Sequence, residues 1–587
     1  MPRLLDLEGA KGPSLPENPS PDHGLGNDLI DATAGWVEGA SEVFSAARVN
    51  TVVRSLIGRN KTATRKQWLS AVAAHVVGKR PDIRPALLEV LGVAAAPSDL
   101  LDGLSIGEIS VCYEALLAQI DRDKRKSSGQ YFTPDDAAVF MAKQSLEFPK
   151  GVWLDPCCGV GNLSWHLAGI QPHPDRFIED DLVLVDRDDT ALKTAVALIG
   201  ARFASPGNSD ALRKLAGRAV RRDFLAQAPL PPYDFAILNP PYAKAPERRN
   251  FFTATTRDLF AYFLEKVATT SRGFVAVTPA SYLSAPKFSP LRAVLDDSFK
   301  GGHVYVFDNV PDTLFRGFKY GSRNTSKTNF VRAAVTVCSP EAKEWQVTPI
   351  LRWQIGDREA MFEEAPQLLS RRRTGPFGEW VKLAPESRVM WQELEDWPRA
   401  VQDLVVAERT PYFLDVATTP RYYVSASFRP LDRGSKVRLH FRDKEDRDLV
   451  ALVLNSSVPY VWWRALDGGV TLPKRVLLST PVPANAPPGS QEMIDALRAS
   501  EDVNIVVKLN AGRKNENVKH GQDLVGRLNH ALLTEKALEG MELVYANSMF
   551  PLGRFHGHSA PCGTVDSSVG AVSGEQCATG CERKRGE

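Results

Sequence analysis

The sequence predicts an α/β fold built on a largely parallel sheet, and three observations lead there. First, short β-rich apolar runs recur between Tyr131 and Ser339, at 151–154, 182–185, 235–238, 274–277, 304–307 and 333–337, with helical stretches such as 258–268 between most of them. Strands alternating with helices call for a parallel sheet covered by helices. Second, the first run leads directly into a glycine-containing loop, Leu154-Asp155-Pro156-Cys157-Cys158-Gly159-Val160-Gly161-Asn162. Third, the buried run Tyr233–Leu238 passes without a break into Asn239-Pro240-Pro241-Tyr242.

The remaining chain divides by composition. Residues 1–27 carry Pro13, Pro16, Pro19 and Pro21 with little apolar content and read as a disordered leader. Residues 28–126 show apolar residues at helical spacing, as in Val52-Val53, Leu56-Ile57 and Leu87-Leu88-Val90-Leu91, and read as a helical domain closed by a charged hinge from Asp121 to Lys126. The α/β unit is expected over 127–345. A mixed region follows over 346–550, with strands to about Leu478 and a linker marked by Pro481, Pro483, Pro487 and Pro488. Residues 551–587 read as a flexible tail.

Of the 587 residues, 43% are hydrophobic and 24% charged, ordinary for a globular chain, and a net charge of +2 does not by itself point to nucleic acid. Seven scattered cysteines, with Cys157 and Cys158 adjacent, fit a reducing compartment better than a disulfide framework. No signal-peptide pattern or membrane-length apolar run is present, so a cytoplasmic location is expected. His556, His558, Cys562, Cys577 and Cys581 lack the paired C-x-x-C spacing of a zinc site, and no metal is expected. Glu-x-Lys occurs only at Glu341-Ala342-Lys343 and Glu582-Arg583-Lys584, neither preceded by an acid-bearing strand, so no cleavage site for DNA is expected.

The loops carry the chemistry. Glycines after a strand let the backbone turn sharply and approach a ligand, and Asp186 at the end of the second run, with Asp188 behind it, stands where a carboxylate can hold a ribose diol. A purely structural βα turn is the competing reading. Arg222-Asp223-Phe224-Leu225 offers an acid and an aromatic to an adenine ring. In Asn239-Pro240-Pro241-Tyr242, the prolines stiffen the loop and remove donors, leaving the Asn239 side-chain oxygen and the Pro240 carbonyl as acceptors for a planar amino group. Such an amine is a poor nucleophile until its lone pair is drawn out of conjugation. Tyr242 supplies a face for a stacked base.

Residues 128–340 resemble the amino-methyltransferases that make N6-methyladenine in DNA. The likeness rests on Ser128-Gly129-Gln130-Tyr131-Phe132-Thr133-Pro134, on the loop from Asp155 through Cys158 and Gly159 to Gly161, on Asp186, on Asp223-Phe224 and on Asn239 to Tyr242. Asp258-Leu259-Phe260 with Glu265-Lys266, and Gly273 to Pro279, are similar as well. The resemblance implies a Rossmann-like sheet with helices on both faces and S-adenosyl-L-methionine as cofactor. Tyr131, Thr133, Pro134, Asp155, Cys158, Gly159, Gly161, Asp186, Asp223 and Phe224 would hold that cofactor. It further implies base flipping from double-stranded DNA, with Phe315 as a second stacking ring and Phe318 in reserve, although the stretch Lys319 to Asn329 looks inserted there.

The order of motifs resembles the restriction–modification class whose target-recognition region lies last. Arg421, Arg429, Arg433, Lys436, Arg438 and Arg442 face a single acid, Asp432, within their own stretch, with Tyr422, Tyr423, Phe428 and Phe441 between them, as on surfaces that meet phosphates. Leu454-Asn455-Ser456-Ser457, Trp462-Trp463-Arg464 and Asp467-Gly468-Gly469 are similar to segments of such recognition domains. Double-stranded DNA, and a separate endonuclease or specificity subunit, are the partners this class implies. Two other readings stay open: methylation of guanine N2 in RNA or of a protein glutamine amide, and a non-catalytic DNA-binding subunit.

Overall fold

The computed structural model describes residues 36, 46–120, 133–315, 319–320, 323–324, 331–420, 423–510 and 513–546. Four helices come first: α1 (Ala46–Leu56), α2 (Lys61–Lys79), α3 (Arg84–Leu91) and α4 (Ile106–Ile120). The Asn60 side chain accepts from the Ala63 amide and starts α2, while Gly92, at φ +68°, ends α3 in a left-handed turn. Next are α5 (Asp135–Gln144), β1 (Trp153–Asp155), α6 (Asn162–Gly169), β2 (Leu182–Asp186), α7 (Asp189–Phe203), α8 (Ser209–Gly217), β3 (Ala219–Arg221) and β4 (Phe235–Leu238). Then follow α9 (Leu259–Thr270), β5 (Gly273–Pro279), α10 (Ser289–Ser298), β6 (Gly302–Phe307), β7 (Ala333–Cys338), β8 (Trp345–Leu351) and β9 (Ser370–Arg371).

The nine strands form one sheet in the order β9-β8-β6-β7-β5-β4-β1-β2-β3. Strands β1 to β6 and β8 run in one direction, and β7 lies antiparallel between β5 and β6. Central strands are buried on both faces, as Phe235, Ala236, Ile237 and Leu238 are in β4. The expected strands therefore form, with β3, β8 and β9 added. Strand β3 is a partly exposed edge without an apolar run, so periodicity passes over it.

Two expected boundaries move. The helices before residue 126 are not a separate domain, because their apolar faces share one core with α6, α7 and the sheet. Trp68, fully buried, donates its indole N–H to Thr194 Oγ1 at 2.9 Å, and Arg80 reaches the Ala201 and Ala204 carbonyls at 2.7 and 2.8 Å. The sheet also does not stop at 345: β8 starts there, pairs parallel with β6, and β9 extends the edge to Arg371.

The region after the sheet has its own core, in which Trp391 and Trp462 stack at 4.5 Å. A four-stranded sheet of 405–406, 436–441, 413–417 and 426–427 packs with helices Lys444–Leu454, Val458–Leu466, Ser490–Val503, Gln522–Leu532 and Glu535–Ala546. Pro481-Val482 is not a linker. It pairs with Arg399-Ala400, and Leu497 of the following helix is fully buried in the same core. Buried Lys382 bonds this body to the main sheet, donating to Ser284 Oγ at 2.9 Å and to the Leu466 carbonyl at 3.0 Å. Among the described residues no helix is long and apolar enough to cross a membrane. The leader, the hinge and the tail with its His and Cys residues lie outside the described residues.

Candidate active site

The carboxyl ends of β1, β2 and β4 open on one cleft. Ligands in open α/β sheets bind at this edge, where successive loops diverge. Pro156, Cys157 and Gly159 line the cleft from the β1 loop, Asp186 from β2, Asp223 and Phe224 from the β3 loop, and Asn239 and Pro241 from β4.

The glycine loop turns as its residues require. Gly159 has φ +54° and Gly161 φ +95°. A Cβ on Gly161 would come within 2.8 Å of Ile199 Cδ1, whereas one on Gly159 would meet nothing within 4 Å, so the first keeps α6 tight on α7 and the second leaves the cleft open. Asp155 is a brace for this turn and does not reach the cleft lining: it is buried, accepts from Ser164 Oγ at 2.9 Å and from the Cys157 amide at 3.3 Å. Burial raises its pKa to about 7. Asp186 accepts from the amides of Gly159 at 2.9 Å and Asp188 at 2.8 Å, which ties the first two loops together, and burial raises its pKa against those bonds.

The tetrapeptide Asn239 to Tyr242 and the glycine loop touch. The Cys157 thiol donates to the Asn239 main-chain oxygen at 3.3 Å. Thr133 lies between the motifs: its carbonyl accepts from Asn162 Nδ2 at 2.6 Å and its hydroxyl from Asn239 Nδ2 at 2.8 Å. The Asn239 amide nitrogen is thus turned to Thr133. Pro240 is buried, and the Tyr242 hydroxyl donates to the Val277 carbonyl at 2.8 Å. Phe315, 1% exposed, meets the Tyr242 ring edge-on with centroids 5.7 Å apart.

Glu265 and Lys266 hold loops. The Glu265 carboxylate accepts from the Phe252 and Thr253 amides at 2.8 and 2.7 Å. Lys266 donates to the Ala226 carbonyl at 2.7 Å and lies 4.8 Å over the Phe224 ring, clamping the Asp223-Phe224 loop. Thr133, Pro134, Asp155, Cys158, Gly161, Pro240, Tyr242 and Phe315 stand behind or beside the cleft lining; Tyr131 and Phe318 lie outside the described residues.

Helix α4 closes one wall with Ser110, Tyr113, Glu114 and Leu117, none of which belongs to a motif in the sequence. Tyr113 donates to Asp188 Oδ2 at 2.9 Å and Arg65 forms an ion pair with the same carboxylate, so the first helices brace the β2 loop. Burial acts to raise the Asp188 pKa, but Arg65 and Tyr113 outweigh it and hold the carboxyl below its ordinary range. Arg187, Arg222 and Arg248 complete the lining, with Arg248 3.7 Å from Asp223. Among the described residues no group of three or more His, Cys, Asp or Glu could hold a metal ion.

Three of the basic residues of the C-terminal body are answered by acids outside their own stretch, and a fourth by a main-chain carbonyl. Lys436 and Arg438 both bind buried Asp415, at 2.9 and 2.6 Å; Arg429 pairs with Glu501 at 3.3 Å; Arg433 donates to the Glu516 carbonyl at 3.0 Å. Burial would raise Asp415, yet the bonds from Arg438 and Lys436 hold it low. Arg442 is exposed, and Arg421 lies outside the described residues.

A parallel sheet with one reversed strand between its fifth and sixth members, a glycine turn after β1 and an acid at the end of β2 define a Rossmann-like methyltransferase fold. Within that class, residues 105–170 match the model of the N-6 DNA Methylase family. The match spans α4, Thr133-Pro134 and the glycine loop, so the family's segment begins with the helix that walls the cleft. Among solved structures, the DrdV–DNA complex aligns with 68% of this chain and 51% of its own, at 12% identity and TM-score 0.39. The type IIG restriction endonuclease BpuSI aligns over 86% and 80%, at 11% and 0.39. A type I restriction-modification methyltransferase subunit from Streptococcus thermophilus aligns over 49% and 67%, at 16% and 0.30. The chain thus spans about half the length of the DrdV chain.

Proposed function

We propose that this chain is a site-specific DNA methyltransferase that transfers a methyl group from S-adenosyl-L-methionine to N6 of adenine in double-stranded DNA. The observation that carries the reading is the meeting of Asn239 with the glycine loop on one cleft, through the 3.3 Å contact to Cys157 and the shared partner Thr133. The lining fits the cofactor: Gly159 leaves room for close approach, Asp186 and Asp188 stand at the β2 end where a ribose is held, and Asp223 and Phe224 offer an acid and a ring to the adenine. When bound, it supplies an electrophilic methyl carbon.

The target base cannot reach the cleft inside a duplex and must be flipped out, at a cost of about a few kcal/mol. Tyr242, with Phe315 behind it, holds the ring. The Asn239 side-chain oxygen and the Pro240 carbonyl accept from the amino group and direct its lone pair outward. The amine would take the methyl group that the bound cofactor supplies and give up its proton to water. Orientation provides much of the rate. The body after residue 371 selects the sequence, and a restriction–modification setting in the cytoplasm, with an endonuclease or specificity partner, suits such an enzyme.

Hydrolysed DNA from cells expressing the chain should contain N6-methyladenine, and Asn239→Ala should abolish it while S-adenosyl-L-methionine binding survives. Methylated RNA guanine or protein glutamine with unmodified DNA would refute the reading.

A further inference from the structure

Where β6 ends, three guanidinium groups converge on one carboxylate. Asp308 is 1% exposed and accepts from Arg332 Nε at 2.8 Å, Arg352 Nη2 at 3.0 Å and Arg464 Nη2 at 3.1 Å. Arg332 directly precedes β7, Arg352 follows β8, and Arg464 comes from the helix Val458–Leu466 of the C-terminal body. All three therefore meet at the same carboxyl edge that carries Asn239.

Asp308 brings one negative charge to the three guanidinium groups bonded to it. The neighbouring carboxylates are committed: Asp312 accepts from Trp353 Nε1 at 2.9 Å and lies 3.5 Å from Arg358, and Asp467 from the Gly469 amide at 2.9 Å and lies 3.4 Å from Arg475. Burial lowers the Arg332 pKa, and Arg464 and Arg352 push the same way against Asp308. Guanidinium charges crowded into a mostly dehydrated edge are screened weakly and favour an anion. Only Nε of Arg332 is spent on Asp308, and its side chain keeps 17% of its surface exposed. A guanidinium fork in that state suits a phosphate oxygen. From Asp308, seven residues of chain lead to Phe315, whose ring touches Tyr242.

We propose that Arg332 and Arg464, anchored on Asp308, form a phosphate-binding site that grips the backbone of the DNA strand whose base enters beside Tyr242. The proposal rests on the DNA reading above and adds the element that holds the strand. It also explains why an arginine of the C-terminal body is built into the edge of the catalytic sheet: docking of the two bodies completes the site.

The test measures binding of wild type, R332Q and R332K to a 30-base-pair mixed-sequence duplex over a KCl series. Wild type should show a steep fall of log affinity with log salt, R332Q a slope shallower by about one unit and roughly tenfold weaker binding, and R332K the wild-type slope. An unchanged slope in R332Q would overturn the site. Wild type that binds no duplex would overturn the DNA reading and the site with it. Should R332Q fail to fold, arginine-directed modification of the wild-type protein decides: the duplex should shield Arg332, whereas shielding by inorganic phosphate but not by the duplex would overturn the assignment.

Discussion

Asn239 Nδ2 donates to Thr133 Oγ1 at 2.8 Å, and the same threonine's carbonyl accepts from Asn162 at the start of α6. One residue thus orients the Asn239 amide and fastens it to the glycine loop. Thr133 is a positioning residue. Thr133→Val keeps the shape but lets the amide rotate, so kcat should fall about fivefold to tenfold, the worth of one buried hydrogen bond. Steady-state methylation assays should show this with cofactor affinity unchanged; an unaltered kcat would remove the role.

In the proposed reaction Tyr242 gives its ring to the base, while its hydroxyl donates to the Val277 carbonyl. Tyr242→Phe should keep most methyl transfer and lose about 1 kcal/mol of unfolding free energy in urea titrations. Tyr242→Ala should lower transfer by roughly 10- to 100-fold through lost stacking. Equal activity of the two variants would count against stacking.

Asp155 makes stability depend on pH. Its pKa is about 7 in the folded chain against an ordinary 3.8, so the folded state binds the extra proton. The contribution is full below pH ~4 and is lost as pH rises through ~7, by up to about 4 kcal/mol. Asp155→Asn cannot ionise. Its stability relative to wild type should therefore climb from pH 4 to pH 8 in denaturant titrations, and a constant difference would show that Asp155 ionises freely.

The first helices and the sheet should unfold together. Trp68 is fully buried between α2 and α7, and Trp68→Ala should cost about 3–5 kcal/mol. Tryptophan fluorescence and far-ultraviolet circular dichroism should then report one shared, lowered midpoint. Two separated transitions would restore an independent helical domain.

Local pattern carried much of the site. Strands 182–186 and 235–238, the left-handed glycines and the Asn239 loop depend on short-range rules, in which a run of apolar residues becomes a buried strand and the loop after it lands on one edge. Separate loops such as Asp186, Asp223 and Asn239 could be expected at one cleft because parallel strands bring their carboxyl ends together.

Partnership over long separations was decided by the tertiary structure. Tyr113 carries no motif of its own, and only the packing of α4 sets it beside Asp188, 75 residues on. Lys436 and Arg438 read as a basic surface because their acid, Asp415, precedes the stretch and faces them across a strand pair. Arg464 and Asp308 are 156 residues apart, and nothing in either neighbourhood announces the other. Hydrophobic period and turn chemistry act over a few residues. Charge pairing acts through space, and only the packed chain says which charges are neighbours.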